Sequence, residues 1–219
     1  MIIAIDGPAG AGKSTVARLL AKRLGLLYID TGAMYRALTL KVLREGIDIK
    51  DTQRIINIAT KIAINLSQDN NGSLRVFMDG CDVTQDIRRP EITRYVSDIA
   101  KIKEVREAML VWQRRLGSEG NGSVMDGRDI GTVVFPEAEK KFYLDADFNE
   151  RVRRRYKELR DLGQDVTIED VAEDLRNRDT IDSTRDVAPL RKAKDAIYLD
   201  TTNMGIEEVV EEVLKYIER

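Results

Sequence analysis

Gly7-Pro8-Ala9-Gly10-Ala11-Gly12-Lys13-Ser14 is the stretch that most narrows what this chain can fold into. It matches G-x-x-x-x-G-K-[ST] and lies between the apolar run Met1-Ile2-Ile3-Ala4-Ile5 and Thr15-Val16-Ala17-Arg18-Leu19-Leu20. That is the strand-loop-helix setting the pattern requires. A glycine-rich turn aims successive backbone N–H groups inward, and the helix it opens adds its positive end, so together they cradle an anion. Gly7 to Thr15 is therefore the candidate triphosphate loop. Lys13 is expected to reach the β- and γ-phosphates of a nucleoside triphosphate, and the Ser14 hydroxyl to reach Mg²⁺.

The rest of the chain repeats the strand-turn-helix alternation. Lys13 to Leu24 is predicted helical, with Val16, Leu19, Leu20 and Leu24 on one stripe and Gly25 as its stop. Leu26-Leu27-Tyr28-Ile29 reads as a short buried strand, and a helix follows through Met34, Leu38, Val42 and Leu43 to Gly46. Apolar runs predict five buried strands near 2–6, 26–29, 123–126, 141–145 and 196–200, hence an α/β fold with a five-stranded parallel sheet flanked by helices. Asp51 or Thr52 is expected to cap a helix from Gln53 to Ile64. Asn70-Asn71-Gly72 and Asp79-Gly80 flank the alternating Leu74, Val76 and Met78, which predicts a small antiparallel meander over 64–86.

Pro90 is placed to open a helix past Tyr95 and Val96. Val105, Met109, Trp112 and Leu116 make the stripe of another, with Trp112 read as a core residue. Asn149 to Arg160 is a basic helix, Thr167-x-x-Asp170 starts a helix that is expected to run to about Arg178, and Ile206 to Ile217 is amphipathic.

Composition narrows the chemistry. A length of 219 residues suits one domain with attached subdomains. A net charge of −2 gives no general argument for a nucleic-acid or membrane partner. No apolar run approaches the ~18 residues of a membrane span, and the single Cys81 suits a reducing compartment, so a cytoplasmic location is expected. With no histidine, His-based acid–base chemistry and His-ligated metal sites are excluded.

Phosphoryl transfer needs cations that converge on the transferred group. Arg36 follows the second predicted strand and Arg128 the third, where ligands of parallel sheets collect. Arg151, Arg153, Arg154 and Arg155 crowd one helix start, and Arg178 and Arg185 are expected to follow the next helix. Asp126 ends an apolar strand, the position of a Mg²⁺-holding carboxylate. Asp129 and Asp182 are further carboxylates near arginines.

Four runs together resemble the bacterial cytidylate kinase family: Gly7–Ser14, Asp30-Thr31-Gly32-Ala33-Met34-Tyr35-Arg36, Asp126-Gly127-Arg128-Asp129-Ile130-Gly131-Thr132-Val133-Val134-Phe135-Pro136, and Arg178-Asp179-x-x-Asp182-x-x-Arg185-Asp186-Val187-Ala188-Pro189-Leu190. The resemblance covers essentially the whole chain, in order. It implies a P-loop kinase with a core (1–30, 117–148 and 186–219), a monophosphate-binding region (31–116, its β insert near 64–86), and a lid with its following helix (149–185).

The implied reaction is ATP-dependent phosphorylation of CMP or dCMP, by a monomer. Arg36, Arg128 and Thr31 would hold the CMP phosphate, while Ser97, Arg106 and Asp129 would face cytosine. Asp182 and Arg185 would face the sugar and Arg178 the phosphates. Arg151 to Arg155 would lie in a closing lid, with Arg154 on ATP. The competing readings are a P-loop kinase for another monophosphate or small molecule, and a P-loop switch NTPase. The chain has no N-K-x-D motif of the kind such switches use.

Overall fold

The computed structural model describes residues 1–69 and 74–217. In chain order the first half contains β1 (Ile2–Asp6), α1 (Lys13–Leu24), β2 (Leu27–Asp30), α2 (Thr31–Arg44), α3 (Thr52–Ala59), β3 (Ile64–Gln68), β4 (Leu74–Met78) and β5 (Cys81–Asp82). It continues through α4 (Pro90–Ala100) and α5 (Lys103–Gly117). The second half contains β6 (Ser123–Gly127), β7 (Lys140–Asp145), α6 (Phe148–Asp161), α7 (Ile168–Thr184), β8 (Ile197–Asp200) and α8 (Ile206–Ile217). The five expected strands form one parallel sheet in the order β2-β6-β1-β7-β8.

Strand order follows from burial. All five residues of β6 are buried, as are four of the five in β1, so these two strands take the interior places that apolar runs favour. Register brings the carboxyl ends level: Asp6 pairs with Gly127, and Asp30 with Asp126. Three acidic residues and the start of two loops therefore share one edge of the sheet. Ile3, Ile5, Leu20, Ile29, Met34, Leu38, Val124 and Phe142 form part of a continuous core that extends into α3, α4 and the small sheet. A second, smaller core unites Ala9 with Val152, Leu159, Val171 and Leu175 of α6 and α7.

The meander is an antiparallel sheet in the order β3-β4-β5. Asp79 and Gly80 both have positive φ (50° and 81°) and Met78 pairs with Cys81, the geometry of a two-residue hairpin turn. The expected Asn70-Asn71-Gly72 turn lies outside the described residues. Trp112 is partly buried and packs on the main core, as expected of that stripe.

Three boundaries differ from the sequence-based expectation. The third helix stops at Ala59, and Ile64 opens β3 opposite Met78; Ile62 and Ile64 are both buried, which is strand spacing. Helix α2 starts at Thr31 because the Asp30 carboxylate accepts from the Ala33 N–H at 2.8 Å. Helix α7 runs to Thr184, beyond Arg178. Arg178 and Asp182 are thus inside that helix and Arg185 is its C-cap residue.

Gly7 has φ 147°, and a Cβ there would sit 1.9 Å from the Leu144 carbonyl oxygen. Both strain and overlap act against any side chain at this position. Gly7→Ala is expected to cost about 3 kcal/mol of stability, read as a lower urea midpoint; an unchanged midpoint would show that the loop can shift away from β7.

Candidate active site

The candidate site is built on the two loops that leave β1 and β6. Gly10 and Gly12 take left-handed conformations (φ 77° and 85°), and α1 starts directly after them. The Lys13 ammonium turns back and donates to the Pro8 carbonyl at 2.6 Å. Ser14 donates its hydroxyl to Asp126 Oδ2 at 2.8 Å, so the loop and the end of β6 are in direct contact. Ala9, Gly10, Gly12, Lys13, Ser14 and Thr15 face a cavity of about 660 Å³. Gly7, Pro8 and Ala11 of the loop do not line it.

Thr31, Arg36, Ser97, Arg106, Arg128, Asp129, Arg178, Asp182 and Arg185 line the same cavity. Arg36 donates to Asp30 at 2.8 Å, and Thr31 donates to the Asp126 carbonyl at 2.8 Å. Arg128 donates through Nε to Asp182 at 2.8 Å. Asp129 is ion-paired with Arg106, and Arg185 approaches both Asp129 (3.8 Å) and Asp182 (3.6 Å). Arg106 also lies over the Tyr35 ring, 5.5 Å from its centroid. Because Arg178, Asp182 and Arg185 are spaced i, i+4, i+7, a single face of α7 and its cap presents all three.

The arginine run of α6 divides. Arg151 is buried and structural: it donates to the carbonyls of Ala146 (3.1 Å) and Ala9 (3.0 Å) and pairs with Asp179 (2.5 Å). Arg153 points outward and pairs with Glu150. Arg154 and Arg155 line the cavity. Arg154 is tied to Glu150 and to the Thr201 carbonyl at 2.6 Å, and Arg155 pairs with Glu158. Of the run expected in the lid, Arg154, the one expected on ATP, and Arg155 line the cavity, while Arg151 and Arg153 do not. Helical geometry turns Arg151 inward and Arg153 outward, and Glu150, Glu158 and Asp179 neutralise much of the run.

Electrostatics mark the cavity as an anion site. Burial, then the nearby Arg128, hold the Lys13 ammonium well below its usual range. The same two causes bring Arg178 down to about 10. Arg155 Nε and Arg178 Nε are buried without a hydrogen-bond partner among the described residues. Burial opposes ionisation of Asp182, yet Arg128, Arg185 and Arg178 outweigh it and hold its pKa below the ordinary carboxylate value. Cations that depress one another in this way are relieved by a multiply charged anion.

Asp126 is buried, and its two oxygens accept from Ser14 and, at 2.9 Å, from the Tyr28 hydroxyl. Burial and the neighbouring Asp30 push its pKa up. A carboxylate and a hydroxyl in contact at the mouth of the loop form a hard-oxygen donor set, which fits Mg²⁺ arriving on nucleotide phosphates. Among the described residues no group of three or more Asp, Glu, His or Cys side chains is arranged as an all-protein metal cage.

Sequence reasoning missed Tyr28, Asp6, Asp30 as an ion-pair partner, Asp179 and Thr201. The one available signal was the strand-end position of Asp6 and Asp30. Asp6 accepts from the Ile130 and Gly131 N–H groups, each at 2.8 Å. Burial pushes its pKa up to about 7 against those two bonds.

Comparison with known proteins agrees with this geometry. The cytidylate kinase family model matches residues 3–219. A cytidylate kinase from Caldanaerobacter subterraneus subsp. tengcongensis is 54% identical over 99% of this chain and 94% of its own length. One from Clostridioides difficile is 51% identical over 99% and 98%. Among solved structures, a shikimate kinase from Bacteroides thetaiotaomicron has a TM-score of 0.51 at 12% identity, covering 100% of this chain and 99% of its own; that likeness concerns the fold. No described helix is long and apolar enough to cross a membrane. With the family match spanning nearly every residue, this chain belongs to the cytidylate kinase family.

Proposed function

We propose that this protein transfers the γ-phosphoryl group of ATP to CMP or dCMP, giving ADP and CDP or dCDP. One observation carries the reading: a triphosphate loop and a second, separate set of arginines open into the same cavity. The loop and Lys13 hold the donor. Arg36, Arg128 and Thr31 hold the acceptor phosphate, in line with the γ-phosphate. The attacking oxygen belongs to a phosphate that is already anionic, so no general base is required, and catalysis rests on positioning and charge neutralisation. Lys13, Arg128 and Arg178 supply that neutralisation, and the cavity-facing Arg154 and Arg155 lie on the ATP side. Asp126 and Ser14 would hold Mg²⁺, which when bound would supply further charge neutralisation to the nucleotide phosphates.

Base choice follows from the paired Arg106 and Asp129, with Ser97 lining the same cavity. The Asp129 carboxylate accepts from the exocyclic amine of cytosine, and Arg106 donates to N3 and O2. Uracil would turn a carbonyl oxygen toward that carboxylate and be repelled. Asp182 and Arg185 face the sugar. In this reading residues 31–116 are the acceptor-binding region and 149–185 the lid. The one cysteine, exposed Cys81, suits a reducing, cytoplasmic setting.

Arg128→Ala is expected to lower kcat/KM for CMP by about 10²–10³-fold, the usual consequence of a lost electrostatic contact. A near-wild-type rate would remove Arg128 from the clamp. Steady-state rates over CMP, dCMP, UMP and AMP test the substrate, and a preference for UMP or AMP would reject the cytosine assignment. Lys13 gives an independent check. Since burial and Arg128 lower its pKa, the arriving phosphates must raise it again. Binding a non-hydrolysable ATP analogue at about pH 8.5, above the phosphate pKa, is expected to take up protons. Calorimetry in two buffers of different ionisation enthalpy measures this uptake, and Lys13→Met is expected to abolish it.

A further inference from the structure

Past Gly127 the chain leaves β6, bends through Arg128 and Asp129, and enters a single π-helical turn at Ile130–Val134. The first N–H groups of a helical turn have no partners inside it, and an aspartate placed just before the turn normally supplies the acceptor. Asp129 stands in that place but its side chain caps nothing. Its carboxylate faces Arg106 and Arg185 in the cavity instead. The orphan donors go to a different element. Asp6 Oδ1 accepts from Ile130 and Oδ2 from Gly131, both at 2.8 Å, across 124 and 125 residues of chain. Asp6 is 4% exposed, ends β1, pairs with Gly127 in the sheet, and immediately precedes the phosphate loop.

We propose that Asp6 is a positioning residue for the acceptor site: it caps the Ile130–Val134 turn in place of Asp129, leaving the Asp129 carboxylate to read the base and fixing Arg128 relative to Lys13. This rests on the acceptor reading given above. Any acidic residue at 129 could cap the turn or face the cavity, but one carboxylate cannot do both. Asp6 removes the conflict from the end of the neighbouring strand. It also joins the two loops mechanically, because one residue both begins the donor loop and holds the first turn of the acceptor loop.

Asp6→Asn keeps the shape but retains one acceptor oxygen, so one buried N–H meets an amide NH₂. The discrimination ratio, kcat/KM for CMP over kcat/KM for UMP, is expected to fall at least about tenfold, the scale of one lost buried hydrogen bond. KM for ATP is expected to change less than about twofold, because the loop's own backbone contacts remain. In an Asp129→Asn background the same substitution is expected to cause no further loss of discrimination. An equal loss on the ATP and CMP sides, or an undiminished effect in the Asp129→Asn background, would overturn the proposal.

Asp129→Asn alone reports on the acceptor reading. If it leaves the CMP-to-UMP ratio unchanged, that reading fails and takes the base-reading half of this proposal with it. Should Asp6→Asn not fold, amide hydrogen exchange on the unmodified protein decides. Protection at Ile130 and Gly131 matching that of Val124 and Met125 supports the cap, and loop-like exchange there overturns it.

Discussion

Parallel pairing of β1 with β6 sets Asp6 beside Gly127, and both strands end at the same level of the sheet. One step further, each chain becomes a loop that carries charge. Three groups of the cavity are tied directly to that edge: Ser14 by its bond to Asp126, Thr31 by its bond to the Asp126 carbonyl, and Arg36 by its pair with Asp30. Sheet register is stiff, since a slip of one residue would reverse every side chain. The distance between donor and acceptor phosphates in the proposed reaction is thus inherited from backbone hydrogen bonding.

Such an arrangement concentrates positive charge before any nucleotide is present. Lys13 and Arg178 are both held below their usual pKa, by burial and then by Arg128. Asp182, Asp129 and Asp30 offset part of that charge and keep Arg128, Arg106 and Arg36 oriented. Groups held in place beforehand do not have to reorganise as charge shifts during transfer, which is where preorganised electrostatics act.

What the sequence could disclose was local. The phosphate loop, the five apolar strands and the Asp79-Gly80 turn are each written in a few neighbouring residues, and the fold shows all of them. The arginines at strand ends were legible too, since a parallel sheet collects ligands there. The far half of α7 was not, because Arg176-Asn177-Arg178-Asp179-Thr180 carries no apolar stripe. Its helix is supported by ion pairs to other elements, such as Asp179 with Arg151 and Asp182 with Arg128. Asp6 and Tyr28 escaped for a related reason: their partners lie about a hundred residues away, and no spacing along the chain reveals them. The crowded arginines of α6 looked alike in sequence and separated only when the helix gave each a direction.

The small core that joins Ala9 to Val152, Leu159, Val171 and Leu175 sets a limit on motion. Ala9 belongs to the phosphate loop itself, and its backbone is held from the α6–α7 side by Arg151 and, at 3.4 Å, by Asp179. Swinging α6 and α7 outward as a rigid pair would keep their mutual packing but strip it from Ala9, break the bonds of Arg151 and Asp179 to the Ala9 backbone, and pull on the loop that grips the donor. Admission of a nucleotide is cheaper if the bases of the two helices stay seated and the turn between them, residues 162–167, does the travelling. In the proposed reaction the foundation of the lid would then be part of the floor of the donor site, with only its far end as the door.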